Sequence, residues 1–416
     1  MRYLIVLFTW VFLFGADATL EIVKNVDNRP LVAIEDASVF GNKHIKKRLF
    51  RLVLGDLKVT SHFKVDDTYR YTNYNNVVDP MLKKFKYLIR YSFKKGKKQR
   101  LLLDFKVYDR DKKDWIFKRR YRVANHTRYP FLIHKAVIDF NDFLNFPTVS
   151  WMKRYVVLAQ YTKSKQSKIL IADYTLTYRK TIISGGLNIF PKWADQNQKG
   201  IYYTKIEKRP TLYYYNIYTG KRRKIAVSDG MIICSAVSRD GKKLLLTKAL
   251  DGQPDIYLYN LKNGIERRLT FYSGIDVSGQ FVDNEKGVVF VSDRFGKPNI
   301  FRLEIGRRGV SQLIFHGRNN SSCSAHGKYI VYTSREDNNA FSSNTFNLYL
   351  ASTQSDYIRR LTATGINQFP KLSNDGKSVL YIKHYASESA LGIIRLEYNE
   401  GFLFPLNGLK IQSIDW

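Results

Sequence analysis

Between Trp151 and Trp416 one phrase keeps returning: an Asp-Gly-Lys turn, an apolar run, a Gly-x-Pro-x-Ile-Tyr segment, a second run and an Arg-Leu-Thr ending. It is clearest from Asp240-Gly241-Lys242 through Leu244-Leu245-Leu246 and Gly252-Gln253-Pro254-Asp255-Ile256-Tyr257 to Arg268-Leu269-Thr270. Further copies run through Val288 to Val291 with Gly296-Lys297-Pro298-Asn299-Ile300-Phe301, through Gly327-Lys328 with Arg360-Leu361-Thr362, and from Asp375-Gly376-Lys377. Fainter ones start near Tyr155-Val156-Val157-Leu158 and Ile201-Tyr202-Tyr203. The spacing is roughly 42–49 residues, the period of propeller blades.

Each unit is built from short β-branched and aromatic runs cut by Gly, Asn, Asp and Pro, which is a strand meander and not a strand–helix pair. One small sheet cannot cover both of its faces. Packed side by side around an axis, such sheets cover one another and leave only short edges. About six copies fit, so the chain is expected to be mainly β, a six-bladed β-propeller over residues 147–416. A sandwich of generic hairpins is the alternative, and the fixed period disfavours it.

The first 146 residues follow other rules. Arg2, the apolar run Tyr3 to Phe14 and the small residues Gly15-Ala16-Asp17-Ala18 read as an export leader over residues 1–18, cut after Ala18 or, second, after Ala16. The apolar run is short for a membrane span. Residues 19–146 mix periods, which predicts a small α+β domain. Its expected parts are an extended segment Thr19 to Val26, a helix over Asn42 to Lys58 with a stripe of Ile45, Leu49, Leu52 and Leu54, strands at Lys86–Phe93, Arg100–Tyr108 and Lys118–Val123, and a helix Phe131 to Leu144.

The net charge is +33, and losing residues 1–18 leaves it there because Arg2 and Asp17 go together. The densest stretch runs from Lys83 to Arg122, a face that would attract anionic lipid, nucleic acid or acidic protein; a solvated basic face is the plainer reading, and the export leader argues against nucleic acid as a partner. The two cysteines, Cys234 and Cys323, lie two repeats apart at different offsets, which favours two buried thiols over a bridge. The seven histidines are scattered without metal-ligand spacing, and no zinc-protease helix, phosphate loop, dinucleotide fingerprint, Cys-x-x-Cys pair or nucleophile elbow occurs. No catalytic residue, metal or cofactor is therefore expected. His134, on a helical stripe, reads as a packing residue, and Asp240, Asp293 and Asp375 as turn residues.

A leader, a small α+β domain and repeats carrying Asp-Gly-Lys, Asp-Gly-x-Pro-x-Ile-Tyr, Arg-Leu-Thr and Gly-Ile-Asp together resemble the TolB family, periplasmic propeller proteins of the Tol-Pal system. The family's usual turn, Trp-Ser-Pro-Asp-Gly, stands here as Val237-Ser238-Arg239-Asp240-Gly241 and Leu372-Ser373-Asn374-Asp375-Gly376, with Trp193 and Trp416 where the family has its tryptophan. Ile133-His134-Lys135-Ala136 resembles its helix ahead of the propeller. The resemblance implies a monomeric binding protein without a cofactor, serving envelope integrity and division. One propeller mouth would hold the peptidoglycan-associated lipoprotein Pal, and a free N-terminal segment would be taken up by the TolA protein.

Carried over by offset from each turn, the Pal mouth would present Met231, Cys234, Asp276, Val277, Ser278, Asn319, Asn320, Asn367 and Gln368, with Ile232 adding to an apolar contact. The TolA segment would be Thr19, Leu20, Glu21, Ile22, Val23, Lys24, Asn25 and Val26, extended enough to join a partner's sheet edge. Two other classes stay open: a propeller hydrolase or lyase acting on a periplasmic polymer, and a basic protein that binds polyanions.

Overall fold

The computed structural model describes residues 28–96, 100–336 and 345–416. The leader and the segment Thr19 to Val26 lie outside the described residues.

The front domain begins with a strand that the alternation rule does not reveal. β1 (Leu31–Asp36) opens with the apolar run Leu31–Ile34, ends on Glu35 and Asp36, and is buried on both faces from Val32 on, because it sits inside the sheet and not at its edge. α1 (Lys43–Thr60) follows, capped where the Asn42 carboxamide accepts the Ile45 amide at 3.0 Å and ended by Ser61 in the left-handed region. Its buried stripe includes Leu49, Leu52, Val53 and Leu57, whereas Ile45 is exposed. Two short strands, β2 (Lys64–Val65) and β3 (Arg70–Tyr71), pair parallel with β1. β4 (Tyr87–Lys95), β5 (Leu101–Asp109) and β6 (Asp114–Val123) form an antiparallel meander joined to the other side of β1. α2 (Tyr129–Phe143) then lies with α1 on one face of this sheet, over Ile89, Tyr91, Phe93, Leu103 and Phe105.

The remaining strands form six four-stranded blades. Blade 1 is made by Val156–Lys163, Gln166–Ala172 and Arg179–Ile183, and its innermost strand is Ile411–Asp415 from the other end of the repeat region. Blades 2 to 6 start from the inner strands Leu187–Trp193, Ile232–Val237, Asp276–Val282, Arg318–His326 and Ile366–Leu372, each followed by three antiparallel strands. Blades 5 and 6 also touch through one parallel pair, Phe346 with Ile366. Apolar clusters fill the spaces between neighbouring blades, for example Leu245, Ile256, Val288 and Phe290 between blades 3 and 4.

The repeated phrase now has physical content. In the Asp-Gly turns, Asp240 accepts the Ser238 hydroxyl at 2.6 Å and the Lys242 amide at 3.0 Å, and Asp375 does the same for Ser373 and Lys377. Gly241 and Gly376 take φ near +70° and +68°, which the turn requires. In the Arg-Leu-Thr ending, the Thr270 hydroxyl accepts the Ile256 amide at 3.0 Å and donates to Asp255, while Arg268 binds Asp255 from its side. Thr362 repeats the clip on Leu348 and Asn347. The threonine thus ends the outer strand by taking over the ladder's bonding with a side chain.

Candidate functional site: the propeller axis and its two mouths

Strand order decides which loops share an end of the ring. Turns joining first to second and third to fourth strands lie at one end; blade-to-blade links lie at the other. The front domain meets the former. Tyr174, in the third turn of blade 1, packs against His134 of α2 with ring centroids 4.9 Å apart, and Tyr398 in the matching turn of blade 6 packs on His62 at 5.4 Å. Arg29 reaches both the Ser61 carbonyl and Glu400, so the first described residues lie at this seam. The near mouth therefore carries the front domain, and the far mouth is ringed by the blade-to-blade links.

At the seam sits a buried charge cluster. His134 of α2 bonds Asp56 of α1 through Nδ1 at 2.7 Å and Asp173 of blade 1 through Nε2 at 3.2 Å, and the Tyr174 hydroxyl donates to Asp56 at 2.5 Å. All four side chains are buried. Burial opposes the imidazolium charge, but the flanking carboxylates override it and raise His134 to about 9. Burial also raises the Asp56 carboxyl, with His134 and Tyr174 pulling against it. His134 is a core residue, as expected, and also the cation that ties two helices to the propeller.

Every sequence-derived mouth residue among these loops is at the far end, but not every one faces outward. Cys234 and Ile232 are buried in the core between blades 2 and 3, so the apolar contact expected of Met231, Ile232 and Cys234 reduces to the exposed Met231. Asp276 is buried and accepts both contacts of the Arg294 guanidinium at 3.1 Å. The Asn320 carboxamide donates to the His316 carbonyl at 2.8 Å, and that of Asn367 to the carbonyls of Phe346 and Thr364 at 3.0 Å. Asn188 holds the Gly185 carbonyl in the same way at 3.0 Å. These recurring Asn and Asp side chains pin the blade-to-blade links from inside. Val277, Ser278, Asn319 and Gln368 are partly exposed, and Ser278 and Asn319 take positive φ at kinks of their inner strands.

The axis holds residues that the repeat pattern did not single out. Lys371 on blade 6 is close enough to feel Lys192 of blade 2, Asp415 of blade 1, Cys234 of blade 3 and Cys323 of blade 5, a set that only the centre of the ring can gather. Desolvation, then the Lys192 charge, lower the Lys371 ammonium to about 8. Lys192 is paired with Asp415 at 2.9 Å, and Asp415 also accepts the Trp193 amide. Both cysteines are free, and burial pushes each thiol up to about 12. A cavity of about 230 Å³ opens at the near mouth between Lys192, Arg239, Gln280 and His326. Among the described residues no group of three His, Cys, Asp or Glu could hold a metal ion, and no helix is long and apolar enough to cross a membrane.

A six-bladed ring closed by the strand Ile411–Asp415, with a small α+β domain at the end opposite the blade-to-blade links, defines a propeller of the TolB type. The family model for the TolB beta propeller domain matches residues 151–406. The Tol-Pal system protein TolB of Wolinella succinogenes is 48% identical over 99% of this chain and 100% of its own length. That of Helicobacter hepaticus is 46% identical, with full coverage of both chains. A solved structure of TolB from Acinetobacter baumannii superposes with a TM-score of 0.73 over 93% of this chain and 97% of that one, at 21% identity, which speaks for the fold. The chain belongs to the TolB family of the Tol-Pal system.

Proposed function

We propose that this protein is a non-catalytic periplasmic adaptor: the far mouth of the propeller binds the lipoprotein Pal, the N-terminal segment Thr19 to Val26 is captured by TolA, and the pairing supports envelope integrity and division. Family membership supports the system. The observation that carries the adaptor reading is the inequivalence of the two mouths. One end carries the front domain, seated against blades 1 and 6 with Arg29 tied to Glu400; the other is ringed by blade-to-blade links pinned from within. Two separate surfaces at opposite ends of a stiff ring suit a protein that holds two partners and lets one influence the other. A leader over residues 1–18 would bring the chain to that compartment, and the domains would divide at 146/147, just ahead of the matched propeller region.

Calorimetric titration of the mature protein with the soluble domain of Pal tests the first contact. One-to-one binding that Met231→Glu and Gln368→Arg weaken at least tenfold is expected; no heat at ~100 μM would remove the Pal reading. Deleting residues 19–26 should abolish TolA binding and leave Pal binding unchanged. Equal loss of both would make the segment a structural part of the fold.

A further inference from the structure

The helices cover one face of the front sheet, and the other face points away from the propeller with its own distinct chemistry. Cross-strand pairing places Arg90, Lys106 and Lys118 in one row of that face, Ser92, Asp104 and Arg120 in the next, and Lys94, Leu102 and Arg122 in the third. The Lys106 ammonium is buried against two aromatic faces, 3.9 Å from the Trp115 ring centroid and 4.3 Å from that of Tyr74. Above this floor a loop is gripped by the buried Arg90, whose guanidinium donates to the carbonyls of Tyr74, Asn76 and Val77. Arg110 holds the same loop at the Asp79 carbonyl, 2.9 Å away, and the Asp79 carboxylate caps the turn that carries Met81.

With its backbone held from below, the loop turns two apolar side chains outward: Val77 is 91% exposed and Met81 86%. Lys83 and Lys84 follow directly in the chain, and β6 adds the exposed Lys118, Arg120 and Arg122 to the same face. Residues 71–122 carry seventeen Lys and Arg against five Asp and no Glu, and the buried Asp104 is already engaged by Lys94 and Arg120. Apolar tips set among basic side chains match a layered target, with negative charge outside and hydrocarbon beneath. A nucleic acid or an acidic protein surface would use the charge and leave Val77 and Met81 idle.

We propose that this pole docks on the surface of a bilayer containing anionic lipid, Val77 and Met81 entering the interface while the surrounding lysines and arginines meet the headgroup phosphates. The face lies at the end of the molecule remote from the far mouth, so the contact is independent of any lipoprotein held there.

The test is sedimentation of the protein freed of residues 1–18 with vesicles of pure phosphatidylcholine and with vesicles one-third phosphatidylglycerol. At least tenfold tighter binding to the anionic vesicles is expected, and the joint change Val77→Asp with Met81→Asp should lower it about tenfold with an unchanged circular dichroism spectrum. Because an acidic pair could disturb folding, Val77→Trp with Met81→Trp is measured as well; it should bind more tightly, with indole emission moving to the blue only when anionic vesicles are present. Equal binding to both vesicle types, full binding by the acidic pair, or binding that heparin matches in affinity and the tryptophan pair does not strengthen would each overturn the proposal.

Discussion

Replacing His134 with leucine should loosen the front domain from the propeller, and the size of the effect can be worked from its surroundings. In the unfolded chain the imidazole titrates near 6.5; between Asp56 and Asp173 it is raised to about 9. Each unit is worth ~1.4 kcal/mol, so the paired imidazolium contributes about 3 kcal/mol, less what burial of the Asp56 carboxyl takes back, or roughly 2–3 kcal/mol. Because the folded value is the higher one, this stabilisation is complete below about pH 6.5 and is lost as pH rises through 9. Leucine also leaves two buried carboxylates without their shared cation, a change that costs about 3–5 kcal/mol in comparable buried clusters. Trp151 supplies the assay: it packs against Tyr174 and Trp416, each with ring centroids 5.3 Å away, and so reports on this seam by fluorescence during urea unfolding. The native protein should lose stability between pH 6.5 and 9, and the leucine variant should start lower, its remaining pH dependence that of the Asp56 carboxyl, which burial raises and no imidazolium then holds down. A native protein as stable at pH 9 as at 6.5, or a variant as stable as the native protein at pH 6.5, would refute the reasoning.

Asp276→Ala should cost about 3 kcal/mol in urea unfolding, since it strips Arg294 of both carboxylate contacts, whereas Met231→Glu at the same mouth should change stability by less than about 0.5 kcal/mol. Lys371→Met should stabilise the protein by about 1 kcal/mol at pH 7, because a folded-state value near 8 means that charging the ammonium is penalised below that pH. The gain should fade as pH rises through 8 toward the ordinary lysine value of 10.5, which the difference between the two melting curves would show. Neither Cys234 nor Cys323 should react with a thiol reagent at pH 8 until denaturant is added, after which both should; early reaction of either would contradict their burial.

The parts of the fold that could be read from sequence are those whose causes are local. A tight Asp-Gly turn and a threonine clip recur wherever a hairpin needs them, and α1 and α2 show their stripes within one stretch of chain. β1 escaped because a strand with both faces covered has no alternation to display, and Leu31 to Asp36 follows directly on Pro30. At the mouth, the recurrence of Asp276, Asn320 and Asn367 was visible, but recurrence cannot say whether a side chain points at a partner or back at its own loop. Lys371, Lys192 and Asp415 meet only because the ring closes, and the acids flanking His134 come from another helix and another domain. Such sites exist in three dimensions before they exist in any pattern.

Closure by a distant strand also sets a timetable. Val156–Lys163 exposes an unpaired inner edge until Ile411–Asp415 arrives, so the earliest blade to be threaded is the last to be finished. Trp416 then lays its indole on Trp151 and donates to the Leu372 carbonyl at 3.1 Å, joining blade 6, blade 1 and the seam with the front domain in one step. A chain interrupted anywhere before that point keeps an open sheet edge and a front domain with only half a floor. Assembly is thus proofread by its closing strand: only a product that includes Ile411–Asp415 can hide the edge on which proteases and aggregation would act.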